Sequence, residues 1–344
     1  MGTQLSFFPM EDNKIVEYDV ALSQSTESPA AISERLINEF DVMIFPFIGC
    51  DFETVYPQIA SIIPKENVDF SEYGIEIVTM AEIISAGICH QINWDFLRST
   101  ILKKIKHNED WLLPNNLINI NESTMEELLN DYEKKERIRA SERAEMVKEI
   151  AAWVMTYPSP KRIFLDDENK ALPVEVIHDN AQKCSVFSRD PEEKKYQLLL
   201  QKLSAYPWFK ELANYSKPAV DYHLIRCYIR RGLIYPKTNR SSEFITNSES
   251  IRKESTVAAL RHLCAEVMID LSGYTNLDIC TINQIEWHIG RSVCIEGNPD
   301  CELKRSESNW LKGTFSKCPF SSTCARTCYR NKFNGEPNYK GDSF

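Results

Sequence analysis

Residues 286–328 read EWHIGRSVCIEGNPDCELKRSESNWLKGTFSKCPFSSTCARTC and place Cys294, Cys301, Cys318, Cys324 and Cys328 within thirty-five residues. Thiols bunched this densely, in a chain that shows no secretory pattern, point to a metal or iron–sulfur site before they point to disulfides. Four of them, Cys294, Cys301, Cys318 and Cys324, are separated by six, sixteen and five residues. They would close a four-thiolate shell of the kind that holds a [4Fe–4S] cluster. Tetrahedral zinc accepts four thiolates as well, so spacing leaves both occupants open, and Cys328 is a fifth thiol in either case.

Around this stretch the composition narrows the class. The 344 residues suffice for one large or two medium domains, and 43% hydrophobic content supplies a core. No apolar run approaches the roughly 20 residues a membrane helix needs, and the opening MGTQLSFFPMEDNK lacks a basic region followed by an apolar one. The expectation is a cytoplasmic or nuclear protein with no membrane segment and with reduced thiols. A net charge of −10 excludes indiscriminate coating of nucleic acid, which rests on many Lys and Arg neutralising phosphates. A local basic face is still expected. From Tyr222 to Ser242 the chain carries Arg226, Arg230, Arg231, Lys237 and Arg240 with no acid, whereas acids gather in Glu11–Asp19 and Glu122–Glu136.

Glycine is scarce, and apolar residues recur at three- and four-residue spacing, so the class is all-α. Helices are predicted over 31–39, 73–86, 125–132, 141–154, from Asp190-Pro191 onward, 221–232, 253–271 and 278–289. Asn121 and Asp221 are placed as caps and Gly232 as a terminator. Residues 23–29, 108–121 and 166–190 read as loops, and 41–48 as a broken apolar run.

Two separated segments then carry a resemblance. Ala219-Val220-Asp221-Tyr222-His223-Leu224-Ile225-Arg226 opens a helix with an acid, and Gly290-Arg291-Ser292-Val293-Cys294 leads into the thiols. Together they resemble the helix-hairpin-helix DNA glycosylase superfamily, particularly its endonuclease III-like iron–sulfur branch. There a V-D-x-H segment presents the catalytic aspartate, and a G-R-x-x-C segment starts the cluster loop. The resemblance covers roughly residues 76–328 through short motifs. It implies that Asp221 is catalytic, that Cys294, Cys301, Cys318 and Cys324 ligate a [4Fe–4S] cluster, and that His223, Arg226 and Arg291 lie on the DNA side. Ile88-Cys89-His90-Gln91-Ile92-Asn93-Trp94 resembles the family's glutamine-bearing segment, which makes Gln91 the residue expected beside an extruded base. Trp94 and Tyr222 offer aromatic faces for that base.

The chain also departs from the pattern. The gap between Cys301 and Cys318 is fourteen residues longer, and Trp310, Lys312 and Lys317 within it are expected to face DNA. The counterpart of the family's glycine-rich hairpin, taken as 203–212, contains no glycine and no matching lysine. A monofunctional enzyme using water is therefore expected, with Lys202, Lys210 and Lys217 as the candidate amines if a lyase step exists. The implied architecture is two-lobed: 76–240 as a helical lobe with the catalytic Asp, and 1–75 packing with the cluster lobe 241–344. The implied activity is excision of a damaged or modified base, including bulky bases of phage genomes, by base flipping and Asp-assisted hydrolysis of the N-glycosyl bond. The competing expectation is a non-catalytic nucleic-acid-binding protein with a structural four-cysteine site.

Overall fold

The computed structural model describes residues 37–38, 40–42, 51–65, 68–190, 192–237, 254–295, 297–322 and 324. The predicted loop at 23–29, all but the end of the helix at 31–39, Pro191, Arg240 and Cys328 lie outside them.

The chain is mostly helical. A short strand β1 (Phe40–Val42) precedes α1 (Phe52–Ile62), α2 (Ile75–Gly87), α3 (Trp94–His107), α4 (Pro114–Leu117), α5 (Glu122–Leu128), α6 (Ala140–Val154), α7 (Val174–Gln182), α8 (Ser185–Ser188), α9 (Lys194–Leu203) and α10 (Tyr222–Arg231). Strand β2 (Ile234–Pro236) follows, then α11 (Glu254–Thr275), α12 (Ile279–Ser292) and α13 (Asn309–Lys312). The two strands pair antiparallel, Phe40 opposite Pro236. Apart from this short ribbon, which takes up the start of the apolar run at 41–48, the described residues bear out the all-α class.

Local chemistry explains the boundaries. Asn93, Asn121 and Asp278 each accept a backbone N–H from the first turn of the following helix, and Gly232 closes α10 with φ 76°. Two predicted loops are in fact folded. Residues 108–121 form short helical turns that bury Leu112, Leu117 and Ile120, and 166–190 contain α7 and α8, which bury Ile177, Ala181, Val186 and Phe187. In both, a few apolar residues at helical spacing were hidden among Asn, Asp and Lys, and tertiary burial outweighs the polar composition.

Two hydrophobic clusters organise the molecule. The first runs from Val68 to Leu212 around α2, which is buried on every side from Val78 to Gly87 and packs on α3, α6 and α9. The second gathers α1, α10, α11, α12 and the cysteine loop, from Phe52 and Val220 to Phe320. Helix α10, expected within a 76–240 lobe, thus packs in the second cluster beside α12. Gly290 permits that closeness: a Cβ there would lie 2.8 Å from His223 Cβ and 3.2 Å from Cys227 Sγ.

The expected basic face of 222–242 is corrected for its helical part. Arg226, Arg230 and Arg231 are all buried. A guanidinium enters a core when most of its donors are satisfied, and here carbonyls, a carboxylate and a sulfur satisfy most of them.

Candidate functional site

The segment before Asp221 is extended and strapped down by side chains from both lobes. Lys217 N–H donates to Gln197 Oε1 at 2.7 Å, Gln201 Nε2 donates to Lys217 O at 2.9 Å, and Ala219 N–H donates to Asn283 Oδ1 at 2.7 Å. Asp221 follows as the N-cap of α10, its Oδ1 accepting from His223 N–H at 2.8 Å and Leu224 N–H at 3.2 Å. Both bonds fall on one oxygen, so capping engages half of the carboxylate. Asp221 is 7% exposed, in keeping with a fixed charge at the edge of a core.

The loop 88–93 belongs to the first hydrophobic cluster, into which Ile88 and Ile92 are buried. Gln91 has φ 56°, a left-handed conformation that glutamine adopts only when its surroundings impose it. Arg143, fully buried on α6, imposes it: Nε donates to Ile88 O at 3.1 Å, and other guanidinium N–H groups donate to the carbonyls of His90, Arg137 and Ile138. His90 is buried beside Glu142 at 3.0 Å, and burial, with Arg143 and Lys195 adding, lowers its pKa to about 2. Burial likewise lowers His223 to about 4, against the pull of Asp221 and assisted by Arg226 and Lys194. Both imidazoles are therefore neutral at physiological pH. Lys194, at the start of α9, adds to the lowering at both His90 and His223.

The four expected thiols occupy one neighbourhood. Cys294 N–H donates to Ile289 O at 2.7 Å, Cys318 N–H to Cys301 O at 2.7 Å, and Cys324 N–H to Phe320 O at 2.8 Å. Cys318 is raised above an ordinary thiol by burial first, with Cys301, Cys294 and Cys324 adding to the rise. Cys294 is lowered by a hydrogen bond from Cys227, a fifth thiol contributed by α10, and by Arg230. Among the described residues no three His, Cys, Asp or Glu side chains meet as a site for a single metal ion. The long segment between Cys301 and Cys318 folds onto the same lobe. Asp300 accepts from Lys304 and Arg305 N–H, each at 2.8 Å, and from Ser308 Oγ at 2.6 Å, while Leu303 and Leu311 enter the core. Trp310, expected to face DNA, instead donates to Ser292 Oγ at 3.0 Å and is half-buried; Lys312 and Lys317 are exposed.

Arg226 is an internal clamp and is not positioned to meet a phosphate. It is 2% exposed and donates to Cys294 O at 2.7 Å and Gly290 O at 2.9 Å, with His223 Nδ1 at 2.7 Å from its Nη2. Arg230 continues the clamp to Ile295 O at 2.6 Å, Gly297 O at 3.2 Å and Cys294 Sγ at 3.6 Å, and its own carbonyl accepts from Cys324 Sγ at 3.1 Å. Arg291 bridges the lobes through Asp95 at 2.9 Å and lies over the Trp287 ring. Trp94 is buried beneath Arg98 and Lys202, whose Nζ sits 5.3 Å from the ring centroid; Tyr222 is half-buried against His223. Burial lowers the Lys202 amine to about 8. Lys210 is exposed.

Sequence reasoning missed Lys194, Lys195, Arg143, Arg261 and Cys227. Asp190, whose carboxylate accepts from Glu192 and Lys194 N–H, and Glu193 at φ 52° precede the two lysines, and the only sign of this in the sequence was Asp190-Pro191. The segment 203–212, taken for the hairpin, is the end of α9 and the start of a 3₁₀ run over Pro207–Tyr215. A cavity of about 590 Å³ lies elsewhere, lined by Glu149, Trp153, Tyr157 and Lys183, and includes none of the predicted site residues. No protein-family model matches the chain, and no curated protein matches it.

Proposed function

We propose that the protein is a DNA N-glycosylase that everts a damaged or modified nucleotide and hydrolyses its glycosidic bond with Asp221. The observation that carries this reading is the nearly buried carboxylate of Asp221, fixed at the head of α10 through one oxygen, with the neutral His223 imidazole in the same helical turn. As the base leaves, positive charge grows on the sugar ring, and a preorganised carboxylate in a poorly solvated site stabilises it more than water can. The oxygen of Asp221 not used in capping is the one to face the sugar and orient the attacking water. Gln91 lies beside the everted base, and Arg291, Lys312 and Lys317 lie toward phosphates.

Cys294, Cys301, Cys318 and Cys324 would hold a [4Fe–4S] cluster. The donor set suits it: four soft thiols in one electrostatic neighbourhood, with Arg226 and Arg230 on the side from which the loop is fastened. The cluster, when bound, supplies a rigid cross-link, since base excision transfers no electrons. Four thiolates around zinc would serve the same purpose, and iron and sulfide analysis of the purified protein, with its visible absorbance, separates the two.

A second reading is favoured by one feature: Asp221 caps its own helix, as Asp does in many structural settings. A non-catalytic nucleic-acid-binding protein would need no more from it. Two duplexes decide between the readings without knowledge of the base. One carries a protonated pyrrolidine in place of the deoxyribose, mimicking the developing cation, and the other a neutral tetrahydrofuran. A glycosylase is expected to bind the cationic duplex more tightly by roughly 100-fold, and Asp221→Asn to erase the difference while keeping tetrahydrofuran affinity. Equal affinity of the unaltered protein for both would leave the binding protein as the reading.

A further inference from the structure

Arg261, on α11 and 3% exposed, joins the segment ahead of α9 to the backbone ahead of α10. Its Nη1 and Nη2 form a bidentate pair with Asp190 Oδ1 and Oδ2 at 2.7 and 2.8 Å, across seventy-one residues of sequence. Its Nε donates to Val220 O at 3.2 Å, the carbonyl immediately before Asp221. Asp190 in turn organises the turn ahead of α9. The same two oxygens accept from Glu192 N–H and Lys194 N–H, each at 3.0 Å, and Asp190 O accepts from Glu193 N–H at 2.9 Å.

One planar group therefore fixes, at once, where Lys194 enters from the first lobe and where the backbone delivers Asp221 from the second. Only a guanidinium can do this. A planar fork with a third donor on its edge satisfies two carboxylate oxygens and a carbonyl together, whereas an ammonium offers a single charged point. The burial of the pair argues that its value lies in geometry, because buried ion pairs add little net stability over apolar residues of the same volume.

We propose that Arg261 is a positioning residue for the reaction, setting the separation between the Lys194 end of α9 and the Asp221 carboxylate. This rests on the reading of Asp221 as the group that faces the sugar. It differs from a purely structural role in what it controls. A misplacement of about 1 Å at a reacting centre costs on the order of 100-fold in transition-state stabilisation, while contacts to the flanking duplex are unaffected.

The test uses the full chain and the same pyrrolidine and tetrahydrofuran duplexes. In Arg261→Lys, which keeps the charge against Asp190 but loses the fork, the preference for the cationic duplex is expected to fall about ten-fold or more. Affinity for the tetrahydrofuran duplex should stay within roughly three-fold. If Arg261→Lys does not melt cooperatively, the double variant Asp190→Asn, Arg261→Gln removes both charges, leaves neither one buried alone, and is expected to give the same loss. A variant with the unaltered preference overturns the positioning role while leaving Asp221 in place. So does an equal loss of affinity for both duplexes, which marks structure alone. If the unaltered protein shows no preference and Asp221→Asn changes nothing, the reading of Asp221 fails and this inference fails with it.

Discussion

Each lobe contains a buried Glu–Arg–Tyr group built to the same plan. In the first, Arg98 on α3 pairs with Glu82 on α2, Tyr206 donates to Glu82 at 2.7 Å, and the guanidinium lies 4.9 Å from the Phe70 centroid. In the second, Arg231 on α10 pairs with Glu286 on α12, Tyr56 donates to Glu286, and the guanidinium lies 4.6 Å from the Phe320 centroid. Their surroundings differ. The first group is enclosed by the aliphatic packing of α2, and burial pushes the Glu82 carboxyl up toward its neutral form, against Arg98. In the second, burial disfavours the Arg231 charge but Glu286 outweighs it, so Arg231 stays firmly protonated. It also shares α10 with Arg226 and Arg230, whose donors end on the cysteine loop. Hydrocarbon holds the first lobe, whereas the second adds to its apolar core a loop fastened by Arg226 and Arg230.

The largest test of that contrast removes the loop's fastening. On the proposed ligation by Cys294, Cys301, Cys318 and Cys324, amide exchange over α10 and α12 in Cys301→Ser is expected to accelerate by a factor on the order of 10³, with α2 and α6 nearly unchanged, because ligation energy would be folding energy only for the lobe that holds the cluster. Uniform acceleration across both lobes, or none in either, would break the contrast.

Parts of this contrast were legible in the sequence. The helical class followed from spacing, and the caps at Asn121 and Asp221 with the terminator Gly232 followed from residue chemistry. The late thiols were read from their density as one site, and Cys301, Cys294 and Cys324 each act electrostatically on Cys318. Gly290 was visible within the segment leading to Cys294, although its reason, the approach of His223 and Cys227, needs the packing. What could not be read were partners across sequence distance. The basic run of α10 looks like a surface until Glu286 and the carbonyls of 294–297 are brought beside it. Nothing local marks Arg261 as the partner of Asp190, or Arg143 as the clamp on the Gln91 loop. Local propensity and composition carry no record of which buried donor meets which acceptor.

A smaller and more discriminating effect comes from neutralising the two glutamates. Glu286→Gln leaves Arg231 charged in a core with no counter-charge and is expected to cost roughly 3–5 kcal/mol. Glu82→Gln removes a charge that burial already disfavours and keeps an acceptor for Arg98 and Tyr206, so a smaller cost, about 2 kcal/mol, is expected. Denaturant melts of the two variants measure both. Equal costs would show that the two groups do the same work despite their settings.

The smallest effect lies where the lobes meet. Lys202 sits over Trp94, a neighbour of the Arg98 group, and acts on His288 of α12; burial with Lys202 and Arg291 lowers His288 to about 4. With its amine at about 8 in the folded protein and near 10.4 unfolded, the unfolded chain binds the extra proton between these values. Stability therefore rises as pH climbs from 8 toward 10, and below 8 the buried charge is a standing cost. Lys202→Met removes that cost. It is expected to raise stability at pH 7 by on the order of 1 kcal/mol, with the gain shrinking toward pH 10. The His288 imidazole should then titrate above its present value of about 4, which NMR reads directly, while burial keeps it below 6.5. A gain independent of pH would mean that Lys202 is solvated and that the lobes meet through water. A gain that fades as predicted, with His288 moving upward, would place a dry, charge-averse seam between the hydrocarbon-held lobe and the thiol-held one.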